Sequence, residues 1–308
     1  MTTALLTHAD CLAHVTPAGH PEQVARLEAV LEALAPLDLL RSDAPLAEAA
    51  AILRVHPAQY LARLRAALPQ DGGRALDSDT WLSPGSLDAA FRAAGAVVRA
   101  VDMVIAGEAG NAFCATRPPG HHAERATAMG FCLFSNVAIG VKHALDQHGL
   151  SRVAVVDFDV HHGNGTQDVL WDEARALMIS SHQFPLYPGT GSAQERGAHG
   201  NILNLPLAPG SGGAVMRREY ERQVFPRLRE FAPELILISA GFDAHRADPL
   251  AQLDWEEDDF AWATRGICEV AAETCGGRVV SALEGGYDLG ALAASVRAHV
   301  QELMKAAK

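Results

Sequence analysis

Short apolar runs rich in β-branched residues recur along this chain, each separated from the next by a longer segment with helical spacing. That alternation restricts the fold more than any other feature. The runs Ala4–Leu6, Ala112–Cys114, Arg152–Val156, Leu177–Ile179, Leu235–Ser239 and Arg278–Leu283 predict buried strands. Helices are predicted over Pro21–Leu34, Ser86–Ile105, Val137–His148, Val215–Phe231, Glu256–Cys275 and Leu289–Met304. In the first of these, Val24, Leu27, Val30, Leu31 and Leu34 share a face, and Pro21 suits a first helical turn. The acidic run Glu256-Glu257-Asp258-Asp259 reads as a solvated helix start favoured by the helix dipole. Strands that alternate with helices imply parallel pairing. The expected architecture is therefore α/β, an open, mostly parallel sheet with helices on both faces. No stretch reads as a linker or a repeat, so residues 1–308 are expected to form one domain.

Sheets of this kind place ligand sites beyond the C-terminal ends of their strands, and four reactive clusters sit at such ends. In Val153–Gly165 a buried strand gives way to Asp157, Asp159, His161 and His162. Asp159 and His161, two residues apart in an extended segment, share a side and can reach one metal ion, though an ordinary polar turn would also look like this. Leu237–His245 brings another carboxylate, Asp243, to another strand end. Two carboxylates and one imidazole leave positions on a zinc-like ion for water and substrate. In Arg117–Ala123 a rigid Pro-Pro-Gly turn presents His121 and His122, a pair able to serve as general base and acid. In Leu283–Tyr287 a double glycine precedes Tyr287, whose hydroxyl can face a developing oxyanion or simply end a turn.

Together these clusters resemble the zinc-dependent histone deacetylase family, including its bacterial members. The resemblance runs from His20-Pro21-Glu22 to Leu283–Tyr287 and is carried by Val156–Gln167, Arg117–Ala123, Ser239–Pro249 and Glu284–Tyr287. It implies the arginase–deacetylase fold and a metal-dependent amidohydrolase that removes acyl groups from lysine Nε. It implies zinc, one per chain, held by Asp159, His161 and Asp243, with Fe(II) or Co(II) admitted by the same donors. The catalytic set would be His121 oriented by Asp157, His122 facing Asn164, and Tyr287; asparagine at 164 is similar to the class II branch. Gly130, Phe131 and Tyr187 would wall the substrate channel, Leu250 would sit at its rim, and Asp79 would hold the substrate backbone. A structural potassium would be bound by backbone groups of Asp157, Asp159 and His161 with the Ser180 hydroxyl. Polyamine-selecting members carry glutamate where this chain has Leu250, so the expected substrate is an acetylated lysine peptide or protein rather than an acetylated small amine. The opening motif Pro21-Glu22-Gln23-Val24-Ala25-Arg26 departs from the family, which more often has arginine and proline after the glutamate.

Two rivals remain at this stage. An arginase-like hydrolase with two manganese ions would need further bridging aspartates, where this chain has histidine and asparagine. A non-catalytic acetyl-lysine binder would not need His121, His122 and Tyr287. Composition narrows the rest. A net charge of −12 argues against a nucleic-acid partner. Only Lys142, Lys305 and Lys308 are lysines, and alanine is abundant, a composition of GC-rich bacterial genomes. Cys11, Cys114, Cys132, Cys268 and Cys275 are odd in number and lack a Cys-x-x-Cys pair, which fits a reducing compartment. No signal-peptide pattern and no membrane-length apolar run occurs, so a cytoplasmic location and no membrane partner are expected. The oligomeric state is not indicated.

Overall fold

The structure, a computed structural model, describes residues 1–307. Eight parallel strands form one sheet: β1 (Thr3–Thr7), β2 (Leu40–Asp43), β5 (Asn111–Cys114), β6 (Val153–Asp157), β7 (Ala176–Gln183), β8 (Ile202–Leu207), β9 (Leu235–Ala240) and β10 (Val279–Leu283). Their order across the sheet is β2-β1-β5-β10-β9-β6-β7-β8. A separate hairpin, β3 (Arg74–Ala75) and β4 (Trp81–Leu82), stands apart from it.

Alternation along the buried strands feeds two cores. Val153 and Val155 join Leu235 and Leu237 on one face, under α2 (Ala49–Leu53), α3 (Ala58–Ala67), α4 (Ser86–Ala106) and α5 (Asn136–Asp146). Ala154 and Val156 join Ile236 and Ile238 on the other, under α1 (Val24–Leu34), α7 (Gly213–Glu219), α8 (Phe225–Phe231), α9 (Glu257–Cys275) and α10 (Leu289–Ala306). The short α6 (Asn164–Leu170) follows β6 across the loop 158–163.

The six predicted strands and six predicted helices are all present, and the sheet is wholly rather than mostly parallel. The acidic run does start a helix: Glu256 caps α9, and Asp259 answers it in a reciprocal capping box. Three differences have physical causes. Helix α1 begins at Val24 with Gln23 at its cap, so Pro21 lies outside the helix, in the wall of a cavity of about 340 Å³. The expected single helix Val215–Phe231 is interrupted by a π turn at Tyr220–Val224, just before Pro226, which has no amide hydrogen to continue the ladder. Strands β2 and β8 were not predicted and form the sheet's edges; β2 is polar and mostly exposed, and the apolar residues of β8 are interrupted by Asn204 and Pro206.

Candidate active site

The central strands β5, β10, β9 and β6 end side by side, and the segments that follow them converge. Because Asp157 pairs with Ser239 in the β6–β9 register, the loops after both strands leave the sheet at the same level. Asp159 and His161 come from the first loop and Asp243 from the second. His161 Nδ1 lies 3.1 Å from Asp159 Oδ1 and 3.1 Å from Asp243 Oδ2. Backbone fixes the other carboxylate oxygens: Gly285 N–H donates to Asp159 Oδ2 (2.8 Å) and Val160 N–H to Asp243 Oδ1 (2.9 Å). Glycine is required at 241 and 285, where a Cβ would strike the Asp159 and Asp243 carboxylates.

This cluster demands positive charge. All three residues are buried, and among the described residues no lysine or arginine pairs with either carboxylate. Burial opposes protonation of His161, yet its hydrogen bonds to Asp159 and Asp243 push it up to about 10. Burial and the neighbouring Asp159 push Asp243 up to about 7. Three convergent donors, two hard oxygens and one imidazole nitrogen, fit a divalent ion of the zinc type. Among the described residues, the only other His/Cys/Asp/Glu grouping of this kind lies far from here, so a second ion beside the first has no comparable donor set.

The tandem histidines are held differently from each other. His121 Nδ1 is 3.0 Å from Asp157 Oδ2, and His122 Nδ1 is 2.8 Å from Asn164 Oδ1; the rings are 4.0 Å apart. Burial disfavours charge on His121, but the Asp159 and Asp157 carboxylates outweigh it and hold the group well above its ordinary value. Burial lowers His122, and the neighbouring His121 and His161 lower it further. With Asn164 Nδ2 donating to Glu124, its Oδ1 accepts the His122 Nδ1 proton and leaves Nε2 as a free base.

A cavity of about 340 Å³ leads to this cluster, lined by His20, Pro21, Ser78, Asp79, His122, Gly130, Phe131, His161, Leu186, Tyr187, Leu250 and Tyr287. All five residues expected at the channel, Gly130, Phe131, Tyr187, Leu250 and Asp79, are among them. Tyr187 packs edge-on to His122 (5.2 Å between centroids), and Phe131 edge-on to Tyr287 (5.8 Å). Gly130 has φ +55°, and a Cβ there would strike the His122 ring. Phe131 itself has φ 69°, a left-handed conformation rare for an aromatic residue and held here by the Phe131 N–H bond to Thr80 Oγ1 (3.2 Å). Burial and the Asp243 carboxylate push Tyr287 well above the usual phenol range, so its hydroxyl stays protonated. Asp248 accepts from the backbone N–H of both Tyr287 (2.8 Å) and Leu250 (2.9 Å), tying the phenol to the rim.

Asp157, Asn164 and His121 stand behind this lining. The Ser180 hydroxyl pairs with His182 Nδ1 (2.9 Å), and Ser180 is in register with Asp157 on the adjacent strand. Supporting residues went unassigned in the sequence. Glu22 receives a two-pronged ion pair from Arg117 (2.5 and 2.6 Å) and also meets Arg26, fixing the Pro118–His122 turn from below. Glu284 accepts the backbone N–H groups of Gly120 (2.6 Å) and His121 (3.2 Å). His20 Nε2 donates to the Asp79 carbonyl (2.8 Å). Each lies within a quoted motif, which is the one signal that pointed to it.

This is the fold of the arginase–deacetylase class, and it superposes on the crystal structure of the HDA15 HD domain with a TM-score of 0.92 at 33% identity, covering 98% of this chain and 90% of that one. The sequence profile described as the histone deacetylase domain matches residues 20–303, and the chain belongs to the histone deacetylase family. It is 44% identical to a histone deacetylase-like amidohydrolase of Pseudomonas aeruginosa, over 88% of this chain and 73% of the relative. It is 44% identical to an uncharacterized protein of Synechocystis sp. (95% and 96% covered) and 38% identical to a probable deacetylase of Archaeoglobus fulgidus (94% and 82%).

Proposed function

We propose that this chain hydrolyses Nε-acetyl-lysine in peptides or proteins, with zinc held by Asp159, His161 and Asp243. The observation that carries the substrate class is the apolar channel formed by Phe131, Leu186, Tyr187 and Leu250, whose one lining carboxylate is Asp79. Such a channel suits an aliphatic stem, and Asp79 suits the backbone amides of a peptide lying across the mouth. When bound, zinc or a similar ion makes water acidic near neutrality and polarises a carbonyl.

The chain's own groups do the rest. His122 faces the cavity with an unprotonated Nε2, so it takes the proton from the attacking water and returns it to the departing amine. His121, charged against Asp157, stays behind it and stabilises the arrangement. The Tyr287 hydroxyl donates to the oxyanion. Channel walls exclude bulk water, which strengthens these interactions. A potassium ion on the backbone of Asp157, Asp159 and His161 with Ser180 Oγ, and a reducing cytoplasmic setting for the five buried free cysteines, belong to the same reading.

The test compares kcat/KM for an acetyl-lysine peptide, acetylputrescine and acetylspermidine. The peptide is expected to win, and Leu250→Glu to move the ratio toward the polyamines. A wild type that prefers a polyamine tenfold or more overturns the assignment.

A further inference from the structure

A second cluster of metal-ligating groups lies at the opposite end of the sheet. Asp102 belongs to α4, His143 to the last turn of α5, and His148 to the connection leading into β6. Helix α5 runs from the C-terminal end of β5 back to the N-terminal end of β6, which carries this cluster away from the channel. Asp102 Oδ1 is 2.6 Å from His143 Nε2 and 2.7 Å from His148 Nε2. The two rings stand 5.2 Å apart at 79°. Ligating atoms of all three residues therefore converge within 4.8 Å.

Bonds of about 2.0–2.1 Å at tetrahedral angles put donor atoms roughly 3.3 Å apart, so the carboxylate and rings need to separate by only about 0.7 Å to admit an ion. Their side chains are partly open, at 35%, 12% and 27% exposure, so water can complete the coordination. A cavity of about 280 Å³, lined in part by Arg54, Arg99, Asp102 and His143, opens beside them. Two imidazoles and one carboxylate favour zinc and its transition-metal neighbours over calcium or magnesium.

We propose that Asp102, His143 and His148 form a second, three-donor site for a divalent ion of the zinc class, fastening α4 to the α5–β6 connection. One neighbour opposes it. His143 Nδ1 is 3.4 Å from Arg54 Nη1. A histidine that ligates through Nε2 keeps its proton on Nδ1, which then faces an N–H donor. Replacing Arg54 by glutamine supplies an acceptor there and should tighten the site.

Protein whose channel site has first been filled with zinc is freed of excess metal and titrated with Zn²⁺ near pH 7.5, with bound metal counted by atomic emission. Wild type is expected to reach two zinc ions per chain, and His148→Gln and Asp102→Asn one, with deacetylase activity unchanged. Added zinc should raise the melting temperature of wild type and leave that of His148→Gln where it was. Arg54→Gln should bind the second ion several-fold more tightly. Asp243→Asn should lose the channel ion and keep this one, which separates the two sites. One ion per chain in wild type, a second ion that survives His148→Gln, or an affinity that Arg54→Gln fails to raise each overturns the proposal.

Discussion

The Arg26 guanidinium lies over the ring of Tyr287, 4.9 Å from its centroid, while donating to the backbone carbonyls of Gly286 (2.5 Å) and Glu284 (2.6 Å) on the approach to that ring. The phenol is thus set from its face by a cation, from its backbone by Asp248, and by the near-perpendicular ring of Phe131. Arg26→Met keeps the bulk of the side chain but removes these hydrogen bonds and the cation. It is expected to lower kcat about 10-fold with little change in KM, since what it loses is alignment of a group that acts in the transition state. Steady-state kinetics check it; a rise in KM alone would assign Arg26 to substrate binding instead.

Tyr287→Phe removes the hydroxyl and leaves the ring. The expected loss in kcat is about 100- to 1,000-fold, the usual cost of one oxyanion donor, with bound metal unchanged. A variant with wild-type kcat would reduce Tyr287 to a turn residue.

Asp159→Asn and His161→Ala should each lose the channel ion and activity together. Chelation of wild type should do the same, and restored zinc should reverse it. Full activity in protein shown to be metal-free would sink the assignment of the channel cluster.

Two buried histidines should make the fold lose stability as the pH falls below about 6.5. Burial lowers His56 to about 4 and His299 to about 3. His299 bridges the Thr264 (2.6 Å) and Ser281 (2.8 Å) hydroxyls, and His56 accepts from Ser135 N–H (3.0 Å). Unfolded, both titrate near 6.5, so between that pH and their folded values the unfolded chain binds protons that the folded chain refuses. Their contribution is complete above about pH 6.5 and is lost as pH falls toward 4. Each group adds up to about 1.4 kcal/mol per pH unit in that window. Denaturant unfolding of His299→Gln across pH 7 to 4 should give a shallower slope than wild type; an equal slope would mean that His299 does not titrate on unfolding.

The residues closest to the chemistry were the easiest to find in the sequence. Asp159, His161 and Asp243 interrupt apolar strands abruptly, and a polar residue where burial is expected stands out. Their support was far less visible. Arg26 reaches carbonyls about 260 positions away, and Glu22 meets Arg117 across 95, contacts that no local pattern encodes. Asp248 lies in Ser239–Pro249, a segment that carries the resemblance, and nothing local says that its two oxygens bind the backbones of Tyr287 and Leu250. The same reason explains the missed edge strands: β2, Leu-Arg-Ser-Asp, has no apolar run of its own, and in β8 Asn204 and Pro206 break one up, so each is set by the neighbour it pairs with.

Strand β10 comes latest in the sequence yet lies in the middle of the sheet, between β5 and β9. Without it, β2-β1-β5 and β9-β6-β7-β8 are two separate ribbons, each with an open inner margin and no strand pairing to the other. The loops bearing Asp159, His161 and Asp243 belong to one ribbon and the tandem histidines to the other, and the segment bearing Tyr287 follows the strand that joins them. A nascent chain therefore carries Asp159, His161, Asp243 and both histidines before it carries the strand that joins the two ribbons, and the candidate site is complete only once synthesis has passed Tyr287.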